Sequence, residues 1–290
     1  MPLIVFLTVL LAAVTSDPAS KITSAGLLRD IQVISDDATQ GRGPGTEGDK
    51  KGRAYLIQRL KEIGFAPAGP GGSWEQPFPI VGLTMKHPAT WSFRGPEAKT
   101  DFRWWDDFIG ASGVQEPKVA IDNAEIVFVG YAIQAPEFQW DDYKGTDLKG
   151  KILVILNNDP DWDPALFAGK KRLYYGRWDY KYESAARAGA AGAIIVHTEE
   201  SAGYGWNVVQ TSWSGIGFEL PAAGEPRIRL KGWMTEAAAK KLVALGGQNL
   251  DSLVKAARRK DFKPVPLKVT TSIAFDVTVE KTEPRTSSAS

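Results

Sequence analysis

The chain of 290 residues has no cysteine, two histidines and three methionines. Without cysteine no disulfide can stabilise an exported fold, and thiolate nucleophiles and thiolate metal sites are excluded. Two histidines are too few for most zinc centres, which take three protein ligands including His, or more when two ions are held. His87 lies in Met85-Lys86-His87-Pro88 and His197 ends Ile194-Ile195-Val196, in separate segments with no H-E-x-x-H spacing. Neither stands near a G-x-S-x-G elbow, so a Ser–His–Asp hydrolase has little support. His197 reads more simply as a hydrogen-bonding residue at a strand end. Charge of one sign is lacking too: 35 basic side chains face 34 acidic ones. That balance gives no electrostatic grip on nucleic acid or an anionic membrane.

Long apolar runs are missing, apart from Leu3–Val14, which only Thr8 interrupts. A membrane span needs about 20 apolar residues, so this run reads as the core of an export leader, with small residues before Asp17 suited to cleavage. Residues 1–16 are thus expected to be a signal peptide, although no Lys or Arg precedes the run; the alternative is a buried amino-terminal helix. The mature protein is expected to be secreted or periplasmic, free of the membrane after cleavage.

Ten tryptophans in a chain that is 43% apolar imply a substantial core or binding surface. Leu27, Leu28, Ile31 and Ile34 repeat at helical spacing after Ser24, a possible cap. Thr46 can cap a second helix by accepting from the amide near Asp49, and Gly64 suits its end. Tyr55, Leu56, Leu60 and Ile63 form that helix's apolar face. Trp74–Ile80 reads as extended. From about Lys118 the pattern changes. Ile126–Val129, Ile152–Leu156 and Ala193–Val196 are short apolar runs typical of buried strands. A helical stretch, Tyr182–Ala190, separates the last two, which predicts a right-handed crossover in a partly parallel sheet. Thr235 can cap a helix running to Leu245. Between Leu267 and Val279 the apolar residues fall on odd positions, the signature of a half-buried strand.

Four motifs invite chemical readings. Gly43-Pro44-Gly45-Thr46-Glu47-Gly48 matches G-x-G-x-x-G, but a helix precedes it where a dinucleotide site needs a strand; its glycines read as a tight connection between helices. Asp159, Asp161 and Asp163 alternate like the start of a calcium loop, yet Pro164 and Lys170 occupy the positions that need Gly and Glu. Lys255–Lys263 carries five basic residues and reads as a solvated face. Tyr174-Tyr175-Gly176-Arg177-Trp178-Asp179-Tyr180 could stack against peptide or sugar, with packing between domains as the plainer alternative.

The order of these segments resembles a known family. Asp36-Asp37 through Gly41–Thr46, then Leu60–Gly69, is similar to the amino-terminal region of secreted zinc peptidases, the family of aminopeptidase Y and glutamate carboxypeptidase. Asp142–Gly145, Leu148–Lys151, Asn158–Pro160, Tyr174–Trp178, Ala185–Ile194 and His197–Glu199 resemble the protease-associated domain inserted in those enzymes. The resemblance implies an α/β fold with four parts. These are a signal peptide (1–16), an amino-terminal helical and extended segment (17–117), a protease-associated domain (118–280) and a polar tail (281–290) leading toward a catalytic domain. It implies a parent enzyme that removes terminal residues from peptides with two zinc ions. None of the family's metal or catalytic residues has a counterpart here, so the expected catalytic, cofactor and metal residues of this chain are none. The chain is expected to be a truncated, inactive portion, whose missing catalytic domain would pack on the amino-terminal helices. The alternative is a stand-alone module that binds peptide or glycan.

Overall fold

The computed structural model describes residues 17–287, so the leader-like segment 1–16 lies outside the described residues. The chain forms two units, one built from the amino-terminal residues to Phe78 together with the segment from Glu283 onward, the other from Pro79–Thr282. Among the described residues no helix is long and apolar enough to cross a membrane.

The smaller unit is organised by two helices, α1 (Ser24–Ile34) and α2 (Glu47–Ile63). Thr23, one residue before the expected Ser24, caps α1 by accepting from the Gly26 amide. Thr46 caps α2, accepting from the Asp49 amide at 3.2 Å, and Gly64 ends it with φ 97°, the left-handed conformation that glycine adopts without a Cβ penalty. The glycine string before α2 serves packing. A Cβ on Gly48 would lie 1.8 Å from the Thr39 carbonyl oxygen, so only glycine lets the helix approach that turn. A short strand, β1 (Glu75–Pro77), pairs antiparallel with Arg285–Ser287. Arg53 joins these elements through Asp49 and Glu75, and Arg285 binds the other Glu75 oxygen at 3.1 Å. The expected polar tail 281–290 is therefore corrected: Lys281 and Thr282 end a long strand, and Arg285–Ser287 form another.

The larger unit holds a ten-stranded mixed sheet. Its strands are β2 (Ile80–Lys86), β3 (Thr90–Arg94), β4 (Lys99–Arg103), β5 (Phe108–Ser112), β6 (Lys118–Phe128), β7 (Ile152–Leu156), β8 (Gly192–His197), β9 (Gly217–Glu219), β10 (Leu230–Thr235) and β11 (Val265–Thr282). The main order is β9-β2-β11-β6-β7-β8-β10-β5, with β3 and β4 beside β11. The four strands β6, β7, β8 and β10 are mutually parallel, and the flanking pairs are antiparallel. β7 and β8 are buried at every residue, which explains their unbroken apolar runs. Helix α3 (Trp178–Arg187) links β7 to β8, and α4 (Glu199–Ala202) and α5 (Trp206–Trp213) link β8 toward β10. Helices α6 (Glu236–Leu245), capped by Thr235, and α7 (Leu250–Ala257) follow β10.

The sheet carries an apolar cluster on each face, one including Phe93, Phe128 and Leu242, the other Ile155, Tyr182 and Trp233. The odd residues from Leu267 to Val277 on β11 are buried as their alternation predicts, even across a bulge where Lys268 takes φ 56°. The architecture is α/β. The boundary expected between 117 and 118 is replaced by one near 79, because β2 and β5 belong to this sheet. β2 pairs with Asp276–Thr282 of β11, a partner almost 200 residues away that leaves no local trace in the sequence.

Candidate functional site

The two histidines do not come together as ligands. His87 is exposed and stacks flat on Trp104, centroids 4.1 Å apart. His197 is buried among Tyr204, Trp206 and Trp233, and its Nε2 lies 3.1 Å from the Tyr204 carbonyl. Burial holds its imidazole below the ordinary range. No serine hydroxyl or carboxylate bonds it among the described residues. Nor, among those residues, do three of His, Asp and Glu gather closely enough to hold a metal ion. One imidazole therefore lies flat on an indole, and the other is tied to a main-chain carbonyl.

The Asp159–Asp163 stretch is divided. Asp163 caps the Ala165 amide at 2.9 Å, whereas buried Asp159 accepts from the Leu173 amide at 3.0 Å. Asp159 and Asp161 line a polar crevice of about 360 Å³ beyond the carboxyl ends of β7 and β8, with Asn157, Asn158, Glu200 and Asp251. Its floor rests on a residue that sequence reasoning missed. Lys181 of α3 is fully buried and donates to the carbonyls of Asn158 at 2.6 Å and Tyr131 at 2.7 Å. Loss of hydration pushes its ammonium down, against the pull of Asp142 and Asp159. The same loss pushes Asp142 up, although Asp142 accepts from the Ile133 amide and the Trp140 indole. A lysine in an Ala- and Tyr-rich helix is ordinarily a solvated residue, so the sequence carried no sign of this burial.

The aromatic segment Tyr174–Tyr180 turns in two directions. Tyr175 and Tyr180 pack with Phe167, Trp140 and Ile133 in a third apolar cluster. Trp178 turns the other way, and meets Trp213 at 5.4 Å and 73° and Tyr182 at 6.3 Å. There it forms one wall of a second cleft, also about 360 Å³, whose other walls are Trp104 and Trp213, Leu83 and Met85 of β2, Gly110–Ser112 of β5, and Phe218 of β9.

Local bonds fix these walls. The Trp105 carbonyl, on a backbone at φ 77°, accepts from the Trp206 indole and the Gln210 amide, both at 2.8 Å, and so pins α5 beside the cleft. Tyr182 donates to the Gly232 carbonyl at 2.8 Å and holds α3 on β10. At the rim Glu219 receives Arg227, Lys231 and the Gln115 amide, and Arg227 also binds Glu225. The rim charges thus neutralise one another around an aromatic floor. Such a cleft suits an uncharged ligand with a large apolar group, held by stacking and by nearby polar main chain.

No family model matches the chain, and no curated protein matches it. Among solved structures, an aminopeptidase from Aneurinibacillus sp. strain AM-1 superimposes with a TM-score of 0.38 at 17% identity, covering 88% of this chain and 48% of that one. The zinc aminopeptidase BSAP from Bacillus subtilis gives 0.34 at 13% identity, covering 88% and 45%. The chain spans about half the length of these two structures. Superpositions this loose carry no argument about activity.

Proposed function

We propose that the larger unit is a peptide-binding module of the protease-associated kind, in an exported aminopeptidase-like protein, and that residues 17–287 take no part in hydrolysis themselves. The observation that carries the reading is the cleft walled by Trp104, Trp178 and Trp213, with a neutralised rim. In this reading the unit captures or positions peptides for chemistry performed elsewhere, the parent reaction being removal of terminal residues.

The smaller unit supports the second half of the proposal. Leu27, Leu28 and Ile31 on α1 are 53–56% exposed, and Leu56 and Ile63 on α2 are exposed as well. α1 buries none of its residues. Contiguous apolar faces of this kind mark interaction surfaces, and a further folded domain is the occupant this reading assigns.

The test is capture by the immobilised chain from a library of acetylated, amidated hexapeptides. Peptides carrying a large apolar side chain should be retained and should be lost with Trp213→Ala. A chain that retains none, in a folded preparation, removes the reading; retention of glycans in place of peptides replaces the ligand class. An aminopeptidase assay with added zinc should show no turnover. Robust activity abolished by a chelator would overturn the non-catalytic assignment.

A further inference from the structure

The polar crevice beyond β7 and β8 is separate from the tryptophan cleft, and the two share no lining residue. Its walls come from the segments that leave all four parallel strands. Tyr131 follows β6, Asn157 and Asp159 follow β7, Thr198 follows β8 and Glu236 follows β10. Open α/β sheets hold their ligands beyond the carboxyl ends of the strands.

The turn after β7 presents polar groups that the chain itself leaves unused. Asn157 is 5% exposed and lines the crevice, and nothing among the described residues bonds its side-chain amide. The oxygen of the next side chain, Asn158, is buried and also has no partner among those residues. The turn is fixed from below, because Lys181 holds the Asn158 carbonyl at 2.6 Å. A buried amide without a partner favours an occupant that can bond it.

Charge decides what kind of occupant. Asp159, Asp161, Glu200, Glu236 and Asp251 line the crevice against a single guanidinium, Arg258. Lys240 pairs with Glu236 at 2.8 Å and with Asp251 at 3.3 Å. Glu200 stands in the first turn of α4, where a carboxylate offsets the helix dipole. Asp159 accepts from the Leu173 amide, and Lys181 beneath it spends its bonds on two carbonyls. The crevice thus has an excess of negative charge centred on the 157–161 turn. Its aromatic wall is Tyr131 and Trp162, with ring centroids 5.9 Å apart, and Arg258 already lies 4.7 Å from the Trp162 ring, a face that accepts cations. The acceptors are spread along the crevice rather than gathered in threes. That spacing suits a cation that brings its own N–H donors on a carbon skeleton.

We infer that the crevice binds a small organic ammonium ion. Its N–H groups donate to the Asn157 side-chain oxygen and to Asp159 and Asp161, and its carbons lie against Tyr131 and Trp162. Free amines and the amino termini of short peptides both present this group.

The experiment titrates the whole chain calorimetrically at neutral pH with n-butylamine, 1-butanol, trialanine amide, its acetylated form and calcium chloride. One or both ammonium compounds should bind, and their uncharged counterparts should not. Binding by the amine alone assigns a free amine, and by the peptide alone an amino terminus. Asp161→Asn, at an exposed position that leaves the fold intact, should weaken binding about tenfold or more, and Asn157→Ala should do the same. Equal affinity for butanol or for the acetylated peptide overturns the inference. So does binding of calcium alone, or no binding of either ammonium compound below about 10 mM. Binding that both variants leave unchanged places the ammonium ion elsewhere and overturns it too.

Discussion

The ammonium of Lys181 and the carbonyl of Asn158 meet at 2.6 Å inside the protein, with no part of the lysine exposed. The bond ties α3 to the turn that follows β7, and a second one from the same nitrogen holds Tyr131. Lys181→Met should remove both donors and leave Asp142 and Asp159 without their buried cation. A loss of about 3–5 kcal/mol is expected, as when one partner leaves a buried charge cluster. Urea unfolding measures it, and a loss within about 0.5 kcal/mol would show that the cluster does not hold the crevice floor.

The same site gives a pH dependence of defined sign. The folded-state affinity of Lys181 for its proton is lowered by burial, so the unfolded chain binds more protons over the interval below the ordinary lysine value of 10.5. Stability contributed by this residue therefore rises with pH toward 10.5. Buried Asp142 has the opposite sign at acid pH: its affinity is raised, and stability falls as pH rises above the ordinary 3.8. Unfolding midpoints across the alkaline range should climb in the wild type relative to Lys181→Met; parallel curves would contradict the assignment.

Trp178 is 40% exposed at the cleft, so it contributes more to the ligand than to the fold. Trp178→Ala should weaken captured peptides about tenfold or more, in the range of an aromatic anchor, with circular dichroism unchanged. Undiminished affinity would move the ligand out of this cleft.

Gly48 and Gly52 separate two kinds of close packing on α2. A Cβ at Gly48 meets the Thr39 main chain at 1.8 Å, whereas one at Gly52 meets only the flexible Arg42 side chain at 3.1 Å. Gly48→Ala should destabilise the helix by about 1–3 kcal/mol and Gly52→Ala by much less. Amide hydrogen exchange along α2 resolves the two, and equal protection would refute the contrast.

Replacing Leu27 and Ile31 together by serine should change unfolding free energy by no more than about 1 kcal/mol, because each side chain is already in water. It should also reduce binding of an apolar dye and any self-association seen in sedimentation. No change in either would argue against an interaction surface on α1.

Elements governed by local chemistry were legible in the sequence. Thr46, Gly64 and Thr235 act at the helix ends they signalled, and Ile152–Leu156 and Ala193–Val196 form adjacent parallel strands. Features that depend on distant partners were not legible. Nothing near Ile80 tells that it will face Thr282, and nothing near Arg285 tells that it will meet Glu75. The aromatic segment was visible, but that Trp178 turns toward Trp213 while Tyr175 turns toward Phe167 depends on packing around α3.

β11 also has a consequence for biosynthesis. Its pairing with β2 and β6 spans the centre of the sheet, yet it is composed of residues 265–282. During synthesis β2 emerges first and stays without its central neighbour until about 200 further residues have been translated, a separation that makes sheet closure slow and late. For that interval Ile80, Val81 and Leu83 are an uncovered apolar strand. Production of the protein is therefore expected to depend on holding chaperones and on how fast the last strand follows.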